Sequence, residues 1–577
     1  MRLRVILIFS YIILSSTVAF AAPSPAAVNA AAANAGVDLG TFTNFFDAGR
    51  TANQLQNKAP LLPKVQPKPQ LVQPQGPIAK ASKINFKLNQ IIFEGNTIFS
   101  DAELQKIFAS KINQTISLGE LEQMVHSVTT KYRLAGYILS RAILPPQVIK
   151  GGIVRVRVIE GFVSSETVKS DSALTTPLLE AYGARIVKAR PLQIAVLQRY
   201  ALLANDLPGY TVKSLLTPSP TVPEAADLTL FATHQKASAF ISYDNFGTRY
   251  LGPQEVSVGG SLYSLLRPGD SNNFRFTVTG RPHQLRFMEL THTQPVGSNG
   301  LRWQFGTNYA ETRPGFVLTP AMIVGRNALA FTDFSFPWIR DRARNLITHI
   351  AFNYQNVTAT LLTFPFYEDR IRSLVMGATF DDTDSWRGIN TGGFDVTRGF
   401  NIWGASNHEN QSRPKGTSTY TRMNLSLSRL QALSPRFSAY VAAHMQYSFQ
   451  PLLATEQFGV GGPDIGRGYD PSEIVGDQGL DGKIELRMDT APGYIFLQTV
   501  QYYIFYDAGI IKNKDSIDLP NQQSLTSTGF GARFVFFPQV TGNFFVAKPL
   551  TKEAAVLTAL GENSTAWRVF FQVMLSV

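Results

Sequence analysis

The sequence predicts an exported chain in which two small α+β modules precede a transmembrane antiparallel β-barrel. Three observations carry that expectation. From Ala237 to the end the chain is a succession of short alternating stretches broken by Gly, Pro, Asn and Asp, with no sustained helical period. Between Phe86 and Gln235 strand-like and helix-like signals alternate instead. Hydrophobic residues make up 44% of the 577 residues and charged residues only 16%, yet the mean hydropathy is -0.02. A helical membrane protein would show unbroken apolar runs of about 20 residues, and none follows the N-terminal leader.

The leader comes first. Arg2 and Arg4 precede an apolar core from Val5 to Leu14 and the small-x-small site Ala19-Phe20-Ala21, which reads as a signal peptide over residues 1–21. With no cysteine in the chain there is no disulfide, thiolate nucleophile or zinc–thiolate site. The net charge of +12 is spread among Asp and Glu rather than gathered in a basic block with interleaved aromatics. It therefore points to loops and lumen near anionic lipid, not to nucleic acid.

Within residues 22–57, Leu39, Phe42, Phe45, Phe46, Ala52 and Leu55 recur near helical spacing, with Asp38 as N-cap, and predict an amphipathic helix over about 38–56. The proline-rich segment 58–82 blocks regular structure and favours an extended, semi-rigid spacer.

The first module occupies 83–161. A strand from Phe86 to Glu94 closes at Gly95-Asn96-Thr97, and Ser100 with Glu103 forms a capping box for a helix to Phe108. Ser117 starts a second helix with Leu118, Leu121, Val125, Val128 and Tyr132 on one stripe, ending near Gly136. Strands follow over Leu139 to Leu144 and Ile153 to Ile159. A second module, 162–236, has weaker signals: helices near Pro177 to Tyr182 and Pro191 to Asn205, strands near Tyr210 to Leu216 and Asp227 to Thr233. An exposed strand edge in such a module can accept an unfolded segment by strand addition, because its backbone donors and acceptors are unpaired.

The barrel is expected over 237–577. Gly482 to Met488 alternates without error, Ile484, Leu486 and Met488 on one face and Lys483, Glu485 and Arg487 on the other, one side suited to lipid and the other to water. The last strand sends Trp567, Val569, Phe571, Val573, Leu575 and Val577 outward and Arg568, Gln572 and Ser576 inward. About 340 residues from Ala237, at roughly 10 per strand plus turns and loops, allow an even strand count in the mid-teens.

One stretch of the barrel departs from alternation. Between Gly459 and Gly482 a loop of about 459–482 carries the tip Gly466-Arg467-Gly468-Tyr469-Asp470. Flanking glycines let such a tip turn tightly into a narrow space, and its guanidinium offers a planar fork suited to a carboxylate. Downstream, Tyr502 to Gly509 sends Tyr503, Phe505, Asp507 and Gly509 to one face, which makes Asp507 the candidate partner of Arg467.

These residues together resemble the TpsB-type transporters of two-partner secretion, in the superfamily that joins POTRA domains to an outer-membrane barrel. The strings FEGNTIFS, ISLGELEQ, YRLAGYILSRAILPPQ and VRVRVIEG match the POTRA version of that family. KASAFISYDNFGTRYLGPQ resembles its first barrel hairpin, including Tyr243-Asp244-Asn245 and Gly247. Arg467-Gly468-Tyr469 and Phe505-Tyr506-Asp507 match its VRGY and F-x-D motifs, with Gly466 standing where valine is usual. The resemblance implies a barrel of sixteen strands in the outer membrane, POTRA domains in the periplasm, and a plug helix including Leu39, Phe42, Phe45 and Phe46. It also implies substrate docking within Phe86–Gln235, with no individual residue singled out, and an inward-folded loop held by an Arg467–Asp507 ion pair. The implied function is secretion of a dedicated exoprotein partner (TpsA-type, unfolded in transit), an adhesin, haemolysin or similar, with vectorial folding outside as the source of work. Outer-membrane lipid is an implied partner, as are periplasmic chaperones and the barrel-assembly machinery during biogenesis.

Other function classes find less support. Seven histidines, with no G-x-S-x-G and no HExxH, give no catalytic site. Asp381, Asp382 and Asp384 near Arg387 read as a solvated loop, and the GxG pieces at Gly459 and Gly461 lack a following helix, so neither a metal nor a cofactor is expected. A passive porin has no use for a peptide-docking module. An insertase of the same superfamily usually carries more than two such modules, which leaves it as the nearest alternative.

Overall fold

The structure is a computed structural model and describes residues 47–56, 84–171, 176–407, 410–514, 521–551 and 566–577. The leader, the proline-rich spacer and the expected plug-helix residues Leu39, Phe42, Phe45 and Phe46 lie outside the described residues. The first described element is α1 (Ala48–Gln56). It does not run unbroken through the expected span: Asp47 is non-helical, and its Oδ1 accepts from Arg50 N at 2.7 Å, so a capping aspartate starts the turn there.

The first module contains β1 (Asn85–Lys87), β2 (Gln90–Glu94), α2 (Asp101–Gln105), β3 (Thr115–Ser117), α3 (Leu118–Leu134), β4 (Arg141–Ile143) and β5 (Ile153–Ile159). Its main sheet runs β2-β5-β4, while β1 pairs with β3. The single strand expected over Phe86–Glu94 is thus two strands in different sheets. Leu88 N donates to Gln114 O at 2.9 Å and Asn89 N to Gly152 O at 2.8 Å, so the backbone changes partner between them, around a fully buried Leu88 side chain. The helix expected to reach Phe108 ends at Gln105, because Ile107 and Phe108 donate to carbonyls three residues back and tighten the turn. Ser100 and Ser117 both complete capping boxes, with Glu103 and Glu120; each such cap is worth about 1 kcal/mol. The Ser117 N–H, with help from Lys111 and the Ser117 hydroxyl, holds the Glu120 carboxyl down to about 2. The apolar stripe of α3 (Leu121, Val125, Val128, Tyr132) packs on Val154 and Val156.

The second module repeats the order strand, helix, helix, strand, strand: β6 (Phe162–Ser170), α4 (Thr176–Val187), α5 (Ile194–Asn205), β7 (Tyr210–Pro218) and β8 (Ala225–His234), with sheet order β6-β8-β7. The end of α5 sits against the adjacent barrel turns. Asp206 accepts from Arg340 Nε and Nη2, both at 2.7 Å, and Arg199 donates to the carbonyls of Asn299, Pro337 and Trp338. This fixes which end of the barrel faces the modules.

The wall begins with β9 (Ala237–Asp244), β10 (Glu255–Tyr263), β11 (Ser271–Thr279), β12 (Leu285–Val296), β13 (Leu301–Thr312) and β14 (Val324–Arg340). It continues through β15 (Arg344–Leu361), β16 (Phe364–Thr383), β17 (Gly388–Gly399), β18 (Thr421–Ala432) and β19 (Phe437–Ser448). Two short strands, β20 (Phe458–Val460) and β21 (Ile474–Gly476), pair only with each other. The wall resumes with β22 (Gln478–Thr490), β23 (Leu497–Lys512), β24 (Gln522–Phe536), β25 (Val540–Pro549) and β26 (Arg568–Ser576). These sixteen wall strands close into one barrel, β26 pairing with β9 from Gln572↔Asp244 to Ser576↔Phe240. Closure leaves no open sheet edge, the condition for a sheet to cross a bilayer.

The alternation read from sequence divides the wall as expected. Ile484 and Leu486 are 57% and 43% exposed while Glu485 is fully buried, and Tyr502, Ile504 and Tyr506 face out while Tyr503, Phe505 and Asp507 face in. The inward loop is longer at one end and shorter at the other than its expected span: β19 stops at Ser448, and Gln478–Gly482 already pair with β23, so the inward segment runs over 449–477.

Candidate functional site

The inward segment is a hairpin: β20 and β21 form its stems, and residues 461–473 make the reach between them. At its tip Gly466 has φ +82° and Gly468 φ +126°, values that side-chain-bearing residues rarely adopt. A Cβ at Gly466 would lie 2.9 Å from the Gly461 Cα, so the glycine at this position follows from the turn itself.

The turn aims Arg467 at the wall. Asp507 accepts from Arg467 Nη2 at 2.7 Å and Nε at 3.0 Å, from the Arg467 backbone N at 2.9 Å and from the Gly466 N at 3.1 Å. The Ser527 hydroxyl donates to the same carboxylate at 3.4 Å. Arg467 is 2% exposed and Asp507 fully buried. Phe505 lies under the guanidinium, 3.6 Å from ring centroid to Cζ. Thus Gly466, Arg467, Phe505 and Asp507 are brought together, forty residues apart in sequence, by one tip and one strand. Tyr469 points elsewhere: its hydroxyl donates to Thr526 O at 3.0 Å, and its ring packs with Val460, Ile474, Ile511 and Leu525.

Glu485, two residues from Lys483 on the inner face of β22, is the partner that sequence reading missed. It accepts from Arg467 Nη1 at 2.5 Å, Arg487 Nη2 at 2.7 Å and Arg533 Nη2 at 3.0 Å. Each guanidinium also stacks on an aromatic ring: Arg487 on Tyr440 at 4.1 Å and Arg533 on Tyr503 at 4.0 Å. The clue in the sequence was an acid flanked by two bases on the water-facing side of an alternating strand. Next to the tip, Asp470 accepts from Arg568 at 2.5 Å and Arg249 at 2.9 Å, which ties the loop to β26 and to the turn after β9.

The helix α1 lies in the same lumen. Ala52 and Leu55 pack against Leu251, Leu285, Phe287 and Ala310 of the wall side. Its polar face meets the inward loop: Asp47 accepts from Thr455 at 2.9 Å and from the wall residue Tyr367 at 2.8 Å, Gln54 donates to Ser472 at 2.5 Å, and Arg50 donates to the Ala454 carbonyl. Between helix, loop and wall there remains a cavity of about 1450 Å³, lined among others by Arg50, Gln54, Asn353, Asp464, Arg467 and Arg533. Asp382 pairs with Arg344 and Asp384 with Arg429, and no group able to hold a metal ion occurs among the described residues.

Residues 86–161 match the POTRA domain, ShlB-type, and residues 227–534 match the haemolysin secretion/activation protein ShlB/FhaC/HecB. A heme/hemopexin transporter protein HuxB from Haemophilus influenzae is 24% identical over 474 residues, covering 80% of this chain and 83% of HuxB. The outer membrane transporter CdiB of Dickeya dadantii is 23% identical over 435 residues, 70% of this chain and 72% of CdiB. In overall fold the chain is similar to the solved structure of CdiB from Escherichia coli, with a TM-score of 0.70 at 18% identity over 97% of this chain and 100% of that one.

Proposed function

The chain belongs to the haemolysin secretion/activation protein family ShlB/FhaC/HecB, and we propose that it carries one dedicated large exoprotein from the periplasm to the cell surface through its own lumen. The barrel lies in the outer membrane and the POTRA region below it in the periplasm. The observation that carries the reading is the lumen: a closed wall of sixteen strands whose bore is filled by two separate pieces of this same chain, each held by polar contacts as well as by apolar packing. A diffusion pore gains nothing from such occupants. A conduit that must stay shut between substrates requires them.

In this reading the partner, unfolded and of TpsA type, docks on the periplasmic modules by adding a strand to the free edges of β2, β4, β6 or β7. Docking expels α1, while the Arg467–Asp507 contact keeps the loop seated and the adjacent strands ordered. Chaperones deliver the chain to the barrel-assembly machinery during biogenesis, and no catalytic step or cofactor enters.

Single-channel conductance of the purified protein, with and without residues 22–80, tests the plug. The full chain is expected to be closed most of the time and the shortened one open. Co-expression with a large exoprotein encoded in the neighbouring reading frame tests the cargo: its surface appearance is expected to require this chain. Equal conductance of the two forms, or exoprotein on the surface without the transporter, would sink the proposal.

A further inference from the structure

The inward loop has a second fixed point, at the end of the barrel away from the modules. Asp477, the last residue before β22, is fully buried, and its carboxylate joins three other pieces of chain to its own. Its Oδ1 accepts from Arg413 Nη1 at 2.5 Å and from Leu452 N at 2.9 Å, and its Oδ2 from Lys514 N at 2.9 Å and Arg413 Nη2 at 3.3 Å. Leu452 belongs to the stem by which the chain enters the lumen, and Asp477 to the stem by which it leaves. Arg413 lies in the outer loop between β17 and β18, and Lys514 in the one after β23.

Arg413 is 8% exposed and also donates to the Leu452 carbonyl at 2.6 Å, so one ion pair closes over both stems. Beneath it Leu452 and Leu453 pack on Ile371 and Tyr420. The next turn, Ala454 to Gln457, is the socket that receives Arg50 of α1 and the Asp47–Thr455 contact. Its position is set by the same stem, and Gln446 Nε2 donates both to Asp477 O at 3.3 Å and to Glu456 O at 3.1 Å. None of these contacts shares a residue with the Arg467 cluster.

We infer that Asp477 is a positioning residue that shuts the outer mouth of the barrel, by clasping both stems of the inward loop to the two flanking outer loops through Arg413 and the Lys514 backbone. The tip cluster seats the loop in depth; Asp477 decides whether the loops over the exit stay together. A chain leaving the lumen has to part them. The inference takes the lumen as an export path, as proposed above, but its test needs no exoprotein and so stands or falls separately.

The chain has no cysteine of its own, so a single Ala454→Cys, at a site 4% exposed, reports access to the mouth. Intact cells carrying the full-length protein are treated with a membrane-impermeant maleimide, and folding is checked by heat-modifiable migration. Asp477→Asn places an amide N–H against donors, and Arg413→Met removes the cation while keeping bulk. Each is expected to speed labelling about tenfold or more, the scale set by loss of a buried charge-assisted hydrogen bond. Arg413→Lys, which still donates, is expected to stay close to the parent. Unchanged labelling in folded Asp477→Asn and Arg413→Met would overturn the inference. So would failure of both to fold, because a clasp over the mouth should spare the wall, and equal acceleration by Arg413→Lys would show that packing alone matters there.

Discussion

Arg467→Ala and Asp507→Ala are each expected to abolish export of the partner while the chain still inserts as a folded barrel. The expectation follows from what each change leaves behind. Breaking one side of a buried ion pair costs about 3–5 kcal/mol, chiefly through the charge left uncompensated. In Arg467→Ala, Asp507 keeps three donors, the backbone N–H groups of residues 466 and 467 and the Ser527 hydroxyl. In Asp507→Ala, Arg467 keeps Glu485 and the face of Phe505. Neither orphan is therefore severe enough to undo a closed wall, but in both the tip loses the bidentate contact that fixes its direction. Arg467→Lys is expected to fail nearly as completely, since an ammonium cannot span both carboxylates in one plane. Exoprotein in the medium, measured against heat-modifiable barrel in the outer membrane, separates the two effects. Export at the parent level by either alanine variant would remove the proposed role of the pair.

Glu485→Gln is expected to have the larger effect on stability. Around the tip three guanidinium groups, from Arg467, Arg487 and Arg533, face two carboxylates. The substitution leaves three cations against Asp507 alone, with two of them, Arg487 and Arg533, deprived of their shared carboxylate and facing an amide that is neutral and itself a donor. Loss of a buried partner on this scale, about 3–5 kcal/mol, should lower the temperature at which the heat-modifiable form converts by several degrees more than Arg467→Ala does, and export should fail as well. Glu485→Gln combined with Arg533→Gln removes one of the stranded cations and should recover part of the lost stability. A single Glu485→Gln as stable as the parent would mean that lumen water, not the carboxylate, compensates these arginines.

How much of this was legible in the residues varies with the physics involved. Inner and outer faces of β22, β23 and β26 could be read because side-chain period is a local property of a strand. The tip could be read because two glycines around an arginine announce both the turn and the need for an acid. Glu485 showed only as an inward acid between two bases; its link to Arg467 could not be read, because it depends on register: the residue directly opposite Asp507 is Lys483, not an arginine, and opposite Glu485 is Phe505. Cross-strand register alone would give Asp507 to Lys483, which instead reaches Asp464. Asp477 left no local trace at all, since its three partners, Arg413, Leu452 and Lys514, come from segments that only barrel closure brings to one mouth. Likewise the break between Leu88 and Asn89 is set by carbonyls of Gln114 and Gly152, not by residues within the strand.

A partner polypeptide that travels inside this wall should be within reach of a photocrosslinker on its inner side and out of reach of one on its outer side. Asn353 faces the lumen cavity, whereas Met376 on the neighbouring strand is 52% exposed on the outer surface. With the exoprotein arrested in transit by a folded domain fused to its C-terminus, a crosslinked adduct is expected from position 353 and none from position 376. Adducts from 376 alone, or none from 353 while arrested exoprotein is demonstrably bound, would contradict it.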